Sequence, residues 1–262
     1  MMNYTQRDID EAKAFILKRI EAEISMQSHL DEALMWAAKE IAEISYRYKM
    51  SASMFRFSAN KRLQSEVDSV IEKLREMIYE YTETLSVAVS KEDKEDIIAW
   101  MNEEEYGHTL KERINIYTNR FKFEIESFVA AGILASLTVG ELTGVIRNNL
   151  SMPYNNSLFR KAVSKGGMSA SRIKTGGISY GNGHSNSARN LLNTLTRNTI
   201  SQAWMQMYGS SAYKNGATGF YSFRGSIYPC AYCDDMVGYH PIEEYRGGWH
   251  PNCRCYFVFV YK

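Results

Sequence analysis

Between Asp8 and Tyr48 apolar side chains return every three or four positions: Ile9, Ala12, Phe15/Ile16, Ile20 and Ile24, then Leu30, Ala33/Leu34, Ala37, Ile41, Ile44 and Tyr48. This is the spacing of an amphipathic helix, with a break expected at Ser25 to His29, where the stripe lapses. Leu63, Val67, Val70/Ile71, Leu74 and Ile78 predict the next helix, capped by Ser58 or Asn60. Ser90-Lys-Glu-Asp93 has the form of a capping box, with Asp a weaker third-position partner than Glu. Ile97/Ile98 and Met101 follow. Beyond Gly107, the residues Leu110, Ile114, Tyr117 and Phe121 restart a helical face that continues through Ile125 and Phe128. Aromatic and Met residues at this spacing read as helix contacts, and no charge cluster here marks an active site.

Near Gly132 the character changes. Thr138, with Glu141 three residues on, predicts a capped helix running through Val145 to Leu150 and stopping before Pro153. A short helix is expected at Ser157 to Val163. Lys165 to Asn186 is a Gly/Ser-rich tract without an apolar stripe, expected to be a loop or a partner-dependent segment. Its glycines lack the Lys-Ser/Thr ending of a phosphate-cradling loop. Asn186 or Ser187 caps a further helix bearing Leu191/Leu192, Leu195, Thr199, Ala203/Trp204 and Met207/Tyr208, with Gly216 as its stop. The period then becomes two, giving strands at Phe220 to Phe223 and Cys255 to Tyr261. The reading is an α+β chain: a long helical region at 1–131, and a smaller mixed α/β domain at 132–262 whose end is fastened by Cys and His.

Charge sharpens that division. Residues 1–119 hold 16 basic and 23 acidic side chains, whereas 120–262 hold 15 basic and 7 acidic. No Asp or Glu lies between Glu141 and Asp234, an interval carrying Arg147, Arg160, Lys161, Lys165, Arg172, Lys174, Arg189, Arg197, Lys214 and Arg224. Such a stretch either faces the acidic half of its own chain or of a neighbouring copy, or contacts nucleic acid or an acidic partner. Arg147, Arg160, Lys161, Lys165, Arg172, Lys174, Arg189 and Arg197 are the candidate contacts. No apolar run reaches the roughly 18 residues of a membrane span, and Met1 to Asp10 lacks the apolar stretch of a secretion signal. Four cysteines, none before Cys230, do not make a disulfide scaffold, so folding in a reducing compartment is expected.

All four cysteines and two of the five histidines fall within 26 residues: Cys230-Ala-Tyr-Cys233, His240, and His250-Pro-Asn-Cys253-Arg-Cys255. A Cys-x-x-Cys turn presents two thiolates to one ion, and zinc takes four such donors tetrahedrally. Cys230, Cys233, His250 and Cys253 form the first candidate set, and the all-cysteine set with Cys255 is the second. The spacing alone leaves Cys255, His250 and His240 in competition. A redox pair fits less well, since Pro229 precedes Cys230 and Asp234-Asp235 follow Cys233. A zinc-dependent nucleic-acid-processing enzyme would need an open metal position and a Glu beside a His ligand. Glu243 and Glu244 are at hand, but no His-x-Glu is present.

The segment from about 132 to 262 resembles the Mu F-like phage head-morphogenesis family. The likeness is carried by Arg197-Asn-Thr199 leading to Ala203 and Tyr208, by Cys230-x-x-Cys233 with Asp235 and Gly238, and by His250-Pro-Asn-Cys-Arg-Cys255 before a final strand. The ending is the specific part; Leu137 to Leu150 resembles the family's opening helix more loosely. Family members often carry Arg-Thr-Glu where this chain has Arg197-Asn198-Thr199, so it either lacks that acid or supplies it from elsewhere. The resemblance implies a minor capsid protein acting in head assembly, not an enzyme, made in the host cytoplasm and carried in the virion. Implied partners are the portal, the major capsid or scaffold protein, packaged DNA, and other copies of the chain. A co-injected DNA-binding protein is the non-structural alternative.

Overall fold

The computed structural model describes residues 4–51, 55–105, 107–156, 187–250 and 252–261. The first helix, α1 (Gln6–Arg47), runs for 42 residues without the break expected at Ser25 to His29. Neither Gly nor Pro occurs there. Met26 is buried between Ala22 and Leu30, so the apolar stripe keeps its four-residue step across the gap. The stripe that is buried differs from the one expected. Ala12, Ile16, Arg19, Glu23, Met26 and Leu30 face inward, whereas Ile24 is 61% exposed.

Asn60 Oδ1 accepts from the N–H groups of Arg62 and Leu63, and so caps α2 (Lys61–Val87). The Ser90–Asp93 pair forms, at 2.8 Å between side chains, but Asp93 is the cap of α3 (Lys94–Met101). Helix α4 (Leu110–Leu134) opens with a capping box between Thr109 and Glu112 that the apolar pattern did not reveal. The expected box between Thr138 and Glu141 opens α5 (Val139–Arg147). Ser187 Oγ accepts from Asn190 N at the start of α6 (Ala188–Lys214). Gly216, at φ +81°, turns the chain out of that helix, a conformation that costs glycine little.

Three strands follow: β1 (Ala217–Phe223), β2 (Gly238–Pro241) and β3 (Tyr256–Tyr261). They form an antiparallel sheet in the order β2-β1-β3, with Phe220 opposite His240 on one side and Phe259 on the other. The sequence signalled the central and last strands. It did not signal β2, whose four residues are too few to show alternation. A five-residue helix, α7 (Ala231–Asp235), lies within the Cys-x-x-Cys segment. The architecture is thus α+β, with a long helical N-terminal region, a small sheet, and a Cys/His cluster near the end.

The chain gathers into two units. One comprises Met1–Gln27, Tyr81–Glu103 and Thr196–Lys262; the other comprises Ser28–Glu80 and Glu104–Leu195. This grouping cuts the chain differently from a boundary at 131/132. The second unit buries Leu34, Ile41, Leu63, Val67, Leu74, Ile114, Phe121, Phe128, Leu142 and Ile146. Buried carboxylates add backbone ties within it: Glu124 accepts from Ala188 N at 2.9 Å, and Glu126 from Phe57 N at 2.6 Å.

The first unit has an aromatic core. The ring of Phe220 is fully buried, and its centroid lies 5.3 Å from Tyr245, 5.3 Å from His240 and 5.4 Å from Phe257. Phe15 of α1 stacks on Tyr208 of α6 at 4.2 Å. Hydroxyl donors fix the register of these pieces: Tyr208 to the carbonyl of Phe257, Tyr245 to that of Met205. Such contacts bury apolar area and satisfy polar tips together.

Candidate metal centre

The first pair of donors sits at the start of α7. Cys230 is the N-cap, and the turn that follows brings Cys233 back toward it. Arg224 staples this loop by donating to the carbonyls of Ser226, Tyr228 and Cys230, and it pairs with Asp234 at 3.3 Å. The second group sits on a tight turn in which Cys253 N donates to His250 O at 3.0 Å. Asn252 there has φ 62°, a left-handed conformation that Asn tolerates better than most residues. Trp249 Nε1 donates to Ser222 Oγ and so ties the turn to β1. Cys255 immediately precedes β3, whose register with β1 fixes its place.

Gly225 is required for this arrangement. A Cβ built there would stand 1.7 Å from the carbonyl oxygen of Arg254. Only a residue without a side chain lets the two backbones pass so closely.

These elements bring five donors together in two overlapping groups. Cys230, Cys233 and His250 form one; Cys233, Cys253 and Cys255 form the other; within each, the ligand atoms lie within 4.8 Å of one another. Cys233, Cys253 and Cys255 are buried, and Cys230 and His250 are partly exposed. His250 Nε2 is 3.5 Å from Cys230 Sγ and 2.9 Å from Cys233 Sγ, while Cys233 and Cys253 are 3.9 Å apart sulfur to sulfur. No disulfide links the four. A tetrahedral site with ordinary zinc bond lengths has edges of roughly 3.8 Å between sulfurs and roughly 3.6 Å between sulfur and nitrogen. Two of the three distances fall close to those edges, so the cluster could hold a metal ion.

The thiols differ from one another before any ion binds. Cys230 is held below the usual thiol range, first by the backbone N–H of Cys233, and Cys253 is held down to about 5, chiefly by a hydrogen bond from Cys255. Burial pushes Cys233 up to about 11, and Cys255 is pushed up by serving as the donor to Cys253. A divalent ion resolves this inequality by holding its bound thiols as thiolates. His240 lies outside both groups. Its Nδ1 is 3.0 Å from Glu244 Oε2, its Nε2 is 3.1 Å from the carbonyl of Met236, and its ring stacks on Phe220. Neither Glu243 nor Glu244 belongs to either donor group.

Behind the donors lies a cluster of charges. Arg19 of α1 is fully buried and donates from Nη2 to the carbonyl of Cys253 at 2.6 Å. Its Nε is 3.3 Å from Glu23 Oε1, and Glu23 is 1% exposed. Arg197 and Arg254 each come within 3.1 Å of Glu23 Oε2. Arg197 thus pairs with an acid on a helix 174 positions earlier in the chain. Burial lowers the Arg19 pKa, against the pull of Glu23. The sequence did carry a signal for this pair. Arg19 and Glu23 continue the spacing of Ala12 and Ile16 toward Met26, so they share its face.

The basic candidates divide. Arg189 is held by both oxygens of Asp31 at 2.7 Å, and Arg197 by Glu23, so these two are spent on acids of their own chain. Arg147 is exposed at the end of α5. Arg160, Lys161, Lys165, Arg172 and Lys174 lie outside the described residues, as do the short helix expected at Ser157 to Val163 and the Gly/Ser tract. No helix among the described residues is long and apolar enough to cross a membrane. Comparison with protein-family models, with curated proteins and with solved structures found no match to this chain.

Proposed function

We propose that this chain is a minor capsid protein of a tailed bacteriophage, acting in head assembly, with one zinc ion fastening the end of its C-terminal region. One observation carries the reading. Seven of the residues that carry the family resemblance (Arg197, Cys230, Cys233, His250, Cys253, Arg254 and Cys255) belong to a single unit, with the thiols and imidazole clustered and both arginines on Glu23. Zinc suits sulfur-rich sets of four donors, and closed sites of this kind stabilise folds. In this reading Cys230, Cys233, Cys253 and either Cys255 or His250 hold the ion, and the chemistry it supplies is structural. The partners are the portal, the major capsid or scaffold protein, or another copy of the chain. Packaged DNA is a salt-sensitive contact through the basic residues not engaged internally, Arg147 among them.

Two measurements test this. Elemental analysis of the purified full chain should find one zinc per molecule, with free-thiol counting showing the cysteines protected until a chelator is added. Mass spectrometry of nuclease-treated, density-purified particles should find the chain in low copy, remaining with the portal when heads are disrupted. Absence from the particles would overturn the capsid role. Zinc accompanied by metal-dependent cleavage of DNA would replace it with the enzymatic alternative.

A further inference from the structure

The cluster formed by Arg19, Glu23, Arg197 and Arg254 is not balanced. Three guanidinium groups face one carboxylate, with Arg19 and Glu23 in the interior and the other two arginines mostly covered. Among the described residues, Arg19 Nε and Nη1, Arg197 Nε, Arg254 Nη1 and Glu23 Oε1 have no hydrogen-bond partner. Taking such charge out of water without a counter-charge is costly. This group adjoins the cysteine cluster, because Arg19 reaches the backbone of Cys253 and Arg254 lies between Cys253 and Cys255 in the chain.

We propose that these four residues are the counter-charge of the metal centre, and that Arg19 is its positioning residue, holding the Cys253 turn through the carbonyl of Cys253. The inference rests on the metal reading and adds to it a role for α1, which lies outside the segment of family resemblance. A divalent ion bound by four thiolates carries two net negative charges; the cluster carries two net positive ones, and the two cancel. With three thiolates and His250 they cancel by half. Between buried charges such attraction is screened far less than in water. Outer partners of this kind, when removed, typically cost about 10–100-fold in metal affinity. Metal binding and the seating of the first half of α1 are then one event rather than two.

The test is zinc competition between the full-length protein and a chromophoric chelator, comparing wild type with Arg19→Lys, Arg19→Met and Arg189→Met. The last variant removes an arginine that is also paired with a carboxylate, but with Asp31 in the other unit. Both Arg19 variants should bind zinc about 10–100-fold more weakly, whereas Arg189→Met should stay within about twofold of wild type. A merely structural role for Arg19 would lower the unfolding midpoint and leave zinc affinity of the folded protein unchanged, and that result overturns the proposal. Should the Arg19 variants fail to fold, hydrogen exchange of the wild type decides. Chelation should deprotect residues 15–25 together with residues 252–256, and unchanged protection at 15–25 overturns the proposal. Wild type that takes up no zinc at all would instead remove the metal reading beneath it.

Discussion

The two units treat buried acids differently. In the unit built on α4 and α5, Glu124 and Glu126 each take a backbone N–H, from Ala188 and Phe57, which offsets part of the cost of burying them. In the unit that holds the cysteines, Glu23 is surrounded by three arginines, and several of the nitrogens and oxygens in that group find no hydrogen bond. The first arrangement needs nothing from outside the chain. The second, on the proposal above, is completed by the thiolates of a bound metal. One unit should therefore be stable by packing alone, and the other should depend on what it binds.

The strongest way to break that comparison is Cys253→Ser, or treatment with a zinc chelator. Either should cost the cysteine-bearing unit about 4 kcal/mol or more, since a structural metal contributes folding free energy directly. Hydrogen exchange should show protection lost in β1, β3 and the first turns of α1, with α4 retained. Equal loss in α4 would show that the two units do not respond separately. Gly225→Ala comes next. Its methyl group would collide with the carbonyl of Arg254, and we expect a loss of about 3 kcal/mol, at the upper end for overpacking, with weakened zinc binding. A variant with wild-type melting and zinc content would show that the loop has room to give.

Glu124 sharpens the comparison from the other side. Burial raises its pKa from the ordinary 4.5 to about 7, opposed by the Ala188 N–H and by Arg120. Because the folded pKa is the higher one, the contribution to stability is full below about pH 4.5 and is lost as pH rises through about 7. The loss approaches about 3 kcal/mol. Glu124→Gln keeps an acceptor for Ala188 but has no charge to bury. Its stability, followed by exchange in α4, should diverge from wild type across that window and be the greater at pH 8. Parallel curves would mean that Glu124 ionises without penalty. The smallest effect is expected for Thr109→Ala, which removes the capping box of α4 at about 1 kcal/mol and leaves zinc content unaltered.

Legibility followed the same line. The helices were readable because a repeat near 3.6 survives in the sequence wherever one face is buried. α2, α4 and α6 fall where Leu63, Leu110 and Leu192 place their stripes, and α5 where Thr138 and Glu141 place its cap. The break expected in α1 was an error of phase. Following Ile20 and Ile24 led to a false gap, while the buried stripe passed through Arg19 and Glu23 and on to Met26. A charged pair inside a stripe is invisible to any reading that counts only apolar residues. The cysteines announced their own cluster through their spacing. What spacing did not reveal was that His240 would be held by Glu244 and Met236, each four residues away, and stand in β2 beside Phe220, outside both donor groups. Nor could charge counting distinguish a free arginine from Arg189 or Arg197, whose acids lie more than 150 positions away.

The bond from Arg19 to Cys253 spans 234 positions and so has a consequence for biosynthesis. While the ribosome is still making the middle of the polypeptide, the opening turns of α1 have emerged with a charged, half-apolar face and nothing to receive it. They can be seated in this way only after Cys253, 234 positions later, has been made. During that interval the nascent segment is available to chaperones, or to whatever assembles alongside it.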